Sequence, residues 1–219
     1  VRESRPSVDH SGHSYLLDVL HTICNEYSIP ILDVPTYSLL PQPQKDRYSK
    51  DFSHESLYIR SLPDKFVMAK QPFFVDAKSI DRKDTGNISV ELSAYYFDLK
   101  RIKHGIRVCF LYEERGEPRI FTPMHVLPAF IIVQPWWIGK ERELFISYAA
   151  FIAEHLGVEL DYELPVYDIK TKGSGDPCII IPMKNLWEYS TSLENFILQM
   201  NQPPEISGRW RLKRRTRDA

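Results

Sequence analysis

The sequence predicts an α/β fold, a mixed sheet flanked by helices and followed by an α+β extension. Two observations predict it. Apolar residues recur at helical spacing in two separate segments, near 14–27 and 88–102. Runs dense in aromatic and β-branched residues, near 65–78 and 107–122, alternate with those segments along the chain.

Taken in order, Leu16, Val19, Leu20, Ile23 and Tyr27 mark the first helix, which Pro30 closes. The polar passage from Pro35 to Ser56 reads as a loop with little regular structure. Leu57–Ile59 and Lys65–Lys78 read as extended, with a turn at Lys70-Gln71-Pro72. Asp81–Asn87 is a charged connection. Ile88, Leu92, Tyr95, Leu99 and Ile102 then form one stripe of a second helix. Asn87 or Thr85 can cap its start; Lys100, Arg101 and Lys103 suit the negative end of its dipole, and Gly105 stops it. A strand at Arg107–Tyr112, a turn at Arg115–Pro118, a partner at Arg119–Thr122 and an apolar run at Val126–Val133 follow. The remainder offers a helix over Glu141–Leu156 ended by Gly157, a strand at Cys178–Ile181 and a last helix over Ser192–Met200. Thr191 and Glu194 are spaced as a capping box for that helix.

With 219 residues, 43% hydrophobic and 26% charged, the chain can bury a full core, which excludes wholesale disorder. No run approaches the ~18 apolar residues of a membrane span, and the polar start has no signal segment, so no membrane partner is expected. Cys24, Cys109 and Cys178 are scattered and lack CxxC spacing. They read as buried thiols of a reducing, intracellular compartment. Net charge is −1, yet Arg209, Arg211, Lys213, Arg214, Arg215 and Arg217 crowd the last twelve residues against Asp218 alone. Such a tail can neutralise phosphates, or simply solubilise the end of the chain.

The chemistry-bearing constellation is Pro63-Asp64, Asp76-Ala77-Lys78 and Glu91. Hydrolysis of a phosphodiester calls for carboxylates to hold a divalent cation, and for a cationic side chain near the developing negative charge. A bent hairpin can bring Asp64 and Asp76 to one metal. In extended chain Asp76 and Lys78 share a face, and the carbonyl of Ala77 is a further donor. An acid–x–Lys or acid–x–basic triplet is common, and Asp81-Arg82-Lys83, Asp98-Leu99-Lys100 and Asp168-Ile169-Lys170 are others here. Only Asp76-Ala77-Lys78 has an apolar strand ahead, an upstream Asp at hairpin distance and an amphipathic helix behind. Glu91 is expected on the core-facing stripe of that helix, where an ionised carboxylate is costly unless paired or bound to metal. The alternative is a Glu at the edge of the stripe, its carboxylate reaching water. Glu26, on the apolar side of the first helix, is either a comparable ligand or a surface residue.

With "PD" at 63–64, "DAK" at 76–78 and "ELSAY" at 91–95, the sequence resembles the PD-(D/E)XK nuclease superfamily, the last motif resembling the QxxxY element of RecB-type members. The resemblance implies an αβββαβ restriction-endonuclease-like core over roughly residues 14–135. It implies that Asp64 and Asp76 bind Mg²⁺ or Mn²⁺, that Lys78 positions or activates water, and that Glu91 and Glu26 are auxiliary ligands. Cleavage would leave a 5′-phosphate and a 3′-hydroxyl. A histidine accompanies these motifs in the related cap-snatching endonucleases, and His13 or His21 could stand there. His13 otherwise reads as part of a loose polar leader.

The expected organisation is a nuclease core over 1–135, an α+β extension over 136–207 and a basic tail over 208–219. The expected function is metal-dependent hydrolysis of nucleic acid by an endonuclease, with DNA favoured over RNA and a homodimer or larger nucleoprotein complex compatible with it. Expected contacts to nucleic acid are Arg82, Lys83, Tyr95, Arg209, Arg211, Lys213, Arg214 and Arg215. The alternative is a non-catalytic nucleic-acid-binding or assembly subunit that docks through its basic tail. Trp136-Trp137 could stack on bases but reads more simply as a packing anchor.

Overall fold

The computed structural model describes residues 11–34, 39–78, 87–123, 130–132, 141–157 and 178–203. Helix α1 (Ser11–Glu26) is followed by β1 (Ile31–Asp33), α2 (Gln42–Lys50), α3 (His54–Arg60), β2 (Lys65–Val67) and β3 (Phe73–Ala77). Next come β4 (Asn87–Glu91), α4 (Leu92–Lys103), β5 (Val108–Glu114), β6 (Glu117–Phe121), β7 (Phe130–Ile132) and α5 (Glu141–Leu156). The order ends with β8 (Cys178–Pro182), α6 (Met183–Leu186), a 3₁₀ turn at Trp187–Tyr189, β9 (Ser190–Ser192) and α7 (Leu193–Met200).

The main sheet has the order β1-β2-β3-β5-β6-β9. All its neighbours are antiparallel except β3 and β5, which run parallel because α4 carries the chain from one to the other. A second, three-stranded antiparallel sheet has the order β4-β8-β7. Side chains of β5 alternate between two cores. Cys109 and Leu111 join α1 and α7 on one face, while Phe110 and Tyr112 join α3, α4, α5 and the second sheet on the other. That burial on both faces explains why the strand reads as an unbroken apolar run.

Residues beyond 135 share these layers with residues before it. Strand β9 lies at the edge of the main sheet, β8 is the middle strand of the second, and Leu193 and Ile197 pack with Leu16, Leu20 and Val75. No helix among the described residues is long and apolar enough to cross a membrane. Cys24 and Cys109 are buried free thiols, and burial pushes them up to about 11 and about 12 respectively.

Four local expectations are corrected. The passage expected as a loop contains α2, which has Pro43 in its first turn, and the start of α3. The stretch 57–59 is helical, within α3, whose N-cap Ser53 accepts from the Ser56 amide. The stripe through Leu92, Tyr95 and Leu99 is a helix, but Ile88 belongs to a strand, and so does Asn87, expected as a cap. Ile88 and Val90 are buried against β8, about ninety residues away in sequence. Local periodicity therefore runs the helix one turn too far back. Finally, α7 is capped by Ser192, whose side chain accepts from the Asn195 amide, not by Thr191. Glu194 does not reach back to the cap; its Oε1 accepts the Tyr27 hydroxyl at 2.8 Å, tying α7 to α1. Thr85 and, of the expected apolar run, residues 126–129 and 133 lie outside the described residues.

Candidate active site

The register of the central hairpin builds the site. Lys65 pairs with Val75 and Phe66 with Phe74, so one further step sets Asp64 opposite Asp76. The Asp64 carbonyl accepts the Val34 amide at 3.2 Å, which prolongs the sheet past β1. Along β3, Phe73, Val75 and Ala77 turn towards α1 and α7, so Asp76 and Lys78 share the opposite face. The Lys78 amide still donates to Leu111 O at 2.8 Å, which holds this residue in the sheet just past the end of the strand.

Contacts among these groups are direct. Lys78 Nζ lies 2.6 Å from Asp76 Oδ2 and 5.4 Å from the centre of the Phe110 ring. The Ala77 amide donates to Asp64 Oδ2 at 2.9 Å, and His13 Nε2 lies 3.1 Å from the same oxygen. Asp76 feels the charge of Asp64, both aspartates feel that of Lys78, and Lys78 also feels Glu91. Burial pushes the Asp76 carboxyl up to about 7; the Lys78 ammonium opposes this, while Asp64 and Asp98 add to it. Burial also tends to raise Asp64. The hydrogen bonds from His13 and Ala77, with the charges of His13 and Lys78, outweigh it and hold Asp64 below the usual carboxylate range. Desolvation would lower Lys78, but Asp76, Glu91 and Asp64 together hold it above its ordinary value. His13 is raised chiefly by its hydrogen bond to Asp64, against the opposing effect of burial.

Asp64, Asp76, Ala77 and Lys78 thus meet at one strand end. Glu91 is close enough to act on Lys78, but it is the last residue of β4 and the N-cap position of α4, half-buried, rather than part of the helix stripe. Glu26 does not join them. It is exposed at the C-terminal end of α1, about 20 Å along the axis from His13. Tyr95 has no exposed surface and its hydroxyl donates to Pro123 O at 2.7 Å, so it offers no face to a polynucleotide. Tyr96, the next residue of α4, is also buried and stacks on Tyr148 at 3.9 Å. Arg82, Lys83, Trp136, Trp137 and the basic residues Arg209, Arg211, Lys213, Arg214, Arg215 and Arg217 lie outside the described residues.

Two further groups lie near this strand end: His13, one of the two histidines offered with the motifs, and Asp98, which the motifs do not single out. His13 shares a helical face with the buried Leu16 and Leu20 once α1 begins at Ser11, and that spacing is the available signal. Asp98 reads in sequence only as part of a common triplet inside a helix. It follows Tyr95 by three positions, is fully buried, and its charge is felt at Asp76.

Among the described residues, no group of three or more His, Cys, Asp or Glu side chains is arranged to hold a metal ion. The donor chemistry nevertheless fits a small hard cation. Two opposed carboxylates and the neighbouring Ala77 carbonyl are all oxygen donors, and Mg²⁺ is commonly held by one or two carboxylates with water completing its shell. One of those carboxylates is pushed towards neutrality by its surroundings, a strain that a divalent cation relieves. Comparison with protein-family models, curated proteins and solved structures found no match to this chain.

Proposed function

We propose that this chain is a divalent-cation-dependent nuclease, with DNA favoured as substrate. The observation that carries the reading is the placement of Asp64, in the bend that enters β2, beside Asp76 in β3, with Lys78 on the same face as Asp76 and 2.6 Å from its carboxylate. The order of elements is compatible with it: with α2 and α3 taken as an insertion between β1 and β2, and β4 as one between β3 and α4, a helix, the antiparallel β1, β2 and β3, the crossover helix α4 and β5 parallel to β3 follow the αβββαβ order that the motifs imply.

In this reading Asp64, Asp76 and the Ala77 carbonyl hold Mg²⁺ or Mn²⁺. The chemistry such a cation supplies is polarisation of a phosphoryl oxygen and easier deprotonation of the attacking water. Asp64 is kept ionised and oriented by His13 and by the Ala77 amide. Lys78 stays protonated in its ring of carboxylates, so it acts as a charged hydrogen-bond donor and not as the base. Its ammonium, now on Asp76, is placed to swing onto a non-bridging phosphate oxygen. Water adds to phosphorus, the bond to the 3′ oxygen breaks, and that oxygen leaves as a hydroxyl.

The test is cleavage of closed-circular single-stranded DNA, plasmid and RNA with and without Mn²⁺. Asp76→Ala and Lys78→Ala are expected to lower the rate at least a hundredfold with the fold retained by circular dichroism. A variant that cuts as fast as wild type overturns the reading. A second reading, a non-catalytic nucleic-acid-binding subunit, is favoured by one observation: Asp76 and Lys78 already neutralise each other as a close pair. Titration calorimetry separates the two, since only the nuclease reading requires heat of Mn²⁺ binding that Asp64→Ala and Asp76→Ala abolish.

A further inference from the structure

The fold contains a buried ion pair that the chemistry above does not use. Asp98 and Arg101 are one turn apart on α4, and Arg101 Nη1 lies 2.5 Å from Asp98 Oδ1. Asp98 is fully buried. A guanidinium that pairs with a carboxylate commonly takes it in two parallel hydrogen bonds. This one does not. Asp98 Oδ2 and Arg101 Nη2 are both buried, and among the described residues neither has a hydrogen-bond partner. Nη1 is instead shared between Asp98 and the carbonyl of Ser61, to which it donates at 2.9 Å. The Tyr58 ring, 5.2 Å from the guanidinium carbon, lies against the same group.

Ser61 is the C-cap of α3, and the chain runs from it through Leu62 and Pro63 to Asp64. The proline fixes its own φ and restricts Leu62, so little slack separates the carbonyl that Arg101 holds from the carboxylate at the strand end. Two unsatisfied buried atoms are a cost that natural structures avoid, and here they accompany a geometry that reaches the Ser61 carbonyl. We propose that Asp98 and Arg101 are positioning residues for the site described above: Asp98 orients the guanidinium, and Arg101 clamps the segment 61–64 onto α4, so that Asp64 is held opposite Asp76. The proposal rests on that reading of the site only for its catalytic consequence. The electrostatics agree, since Asp98 feels the charge of Lys78 and of Asp64.

The clamp has a reporter that needs no catalysis. The Ala77 amide donates to Asp64 Oδ2, so its hydrogen exchange measures whether Asp64 stays in place. In Arg101→Met, Ala77 is expected to exchange at least tenfold faster than in wild type, with the amides of Cys109 and Leu111 in β5 unchanged. Removing Arg101 alone strands a buried carboxylate and can unfold the protein. The double variant Asp98→Leu/Arg101→Met removes both charges at these positions, strands neither, and gives the same readout. Unchanged protection at Ala77, or an equal rise across β5, overturns the proposal. If wild type cuts no nucleic acid while Ala77 responds as stated, the nuclease reading fails and the clamp stands. If wild type cuts and Ala77 does not respond, the clamp alone fails.

Discussion

Asp76 is a carboxylate placed where water cannot stabilise its charge. Its burial, with the charges of Asp64 and Asp98 nearby, outweighs the attraction of Lys78 and leaves it titrating near neutrality, at about 7. A divalent cation competes with that proton. Mn²⁺ affinity is therefore expected to rise as pH increases from about 5.5 to about 8, with close to one proton released per ion at the acid end, as calorimetry in buffers of different ionisation heat would read. Affinity independent of pH over that range would show that Asp76 is not a ligand. The same shift has a sign for folding. The folded-state value lies above that of an unfolded Asp, so the native state holds more protons between about pH 4 and pH 7, and metal-free stability falls as pH rises through that window. Asp98, raised to about 6 by burial, contributes in the same sense over the lower part of the window. The stability His13 gains from Asp64 is present below its ordinary value of 6.5 and is lost as pH climbs through its raised one.

At the scale of elements, capping and alternation decide what periodicity leaves open. The start of α7 offers two hydroxyls in succession, and only that of Ser192 accepts the Asn195 amide. Ser192→Ala is expected to destabilise the protein by about 1 kcal/mol in urea denaturation, and Thr191→Ala by much less. The reverse ranking would restore Thr191 as the cap. Strand β4 shows the other half of the lesson. The alternation of Ile88 and Val90 with polar residues is visible in the sequence, but Ile88 also sits four positions before Leu92, and that coincidence favours a helix. What settles the matter is β8, which supplies hydrogen-bonding partners that no local window contains.

The whole molecule is interleaved along the chain. Ile179 and Ile181 complete the core beneath α4 and α5, and Leu193 and Ile197 complete the one beneath α1. A fragment ending at residue 135 loses the middle strand of the second sheet, the edge of the first and part of both cores. Circular dichroism and calorimetry are expected to find no cooperative thermal transition in it, because both cores are left open where β8, β9 and α7 would cover them and the apolar surface still buried does not offset chain entropy. A sharp transition near that of the full chain would show that residues 1–135 fold without the extension over 136–207.

Short windows of sequence carry helix α1, helix α4 apart from its first turn, the hairpin of β5 and β6, both ends of helix α5, and the nearness of Asp64 to Asp76 and Lys78. In each case the information is a repeat of 3.6 or 2 residues, or a turn, within a short window. Tertiary structure alone decided that β4 is a strand, that His13 and Asp98 approach the strand end while Glu26 does not, and that Arg101 grips Ser61. Those outcomes depend on groups brought together from about twenty to about ninety positions apart, and on which side of a helix the core lies. Short-range spacing carries neither fact; close packing of the two layers supplies both.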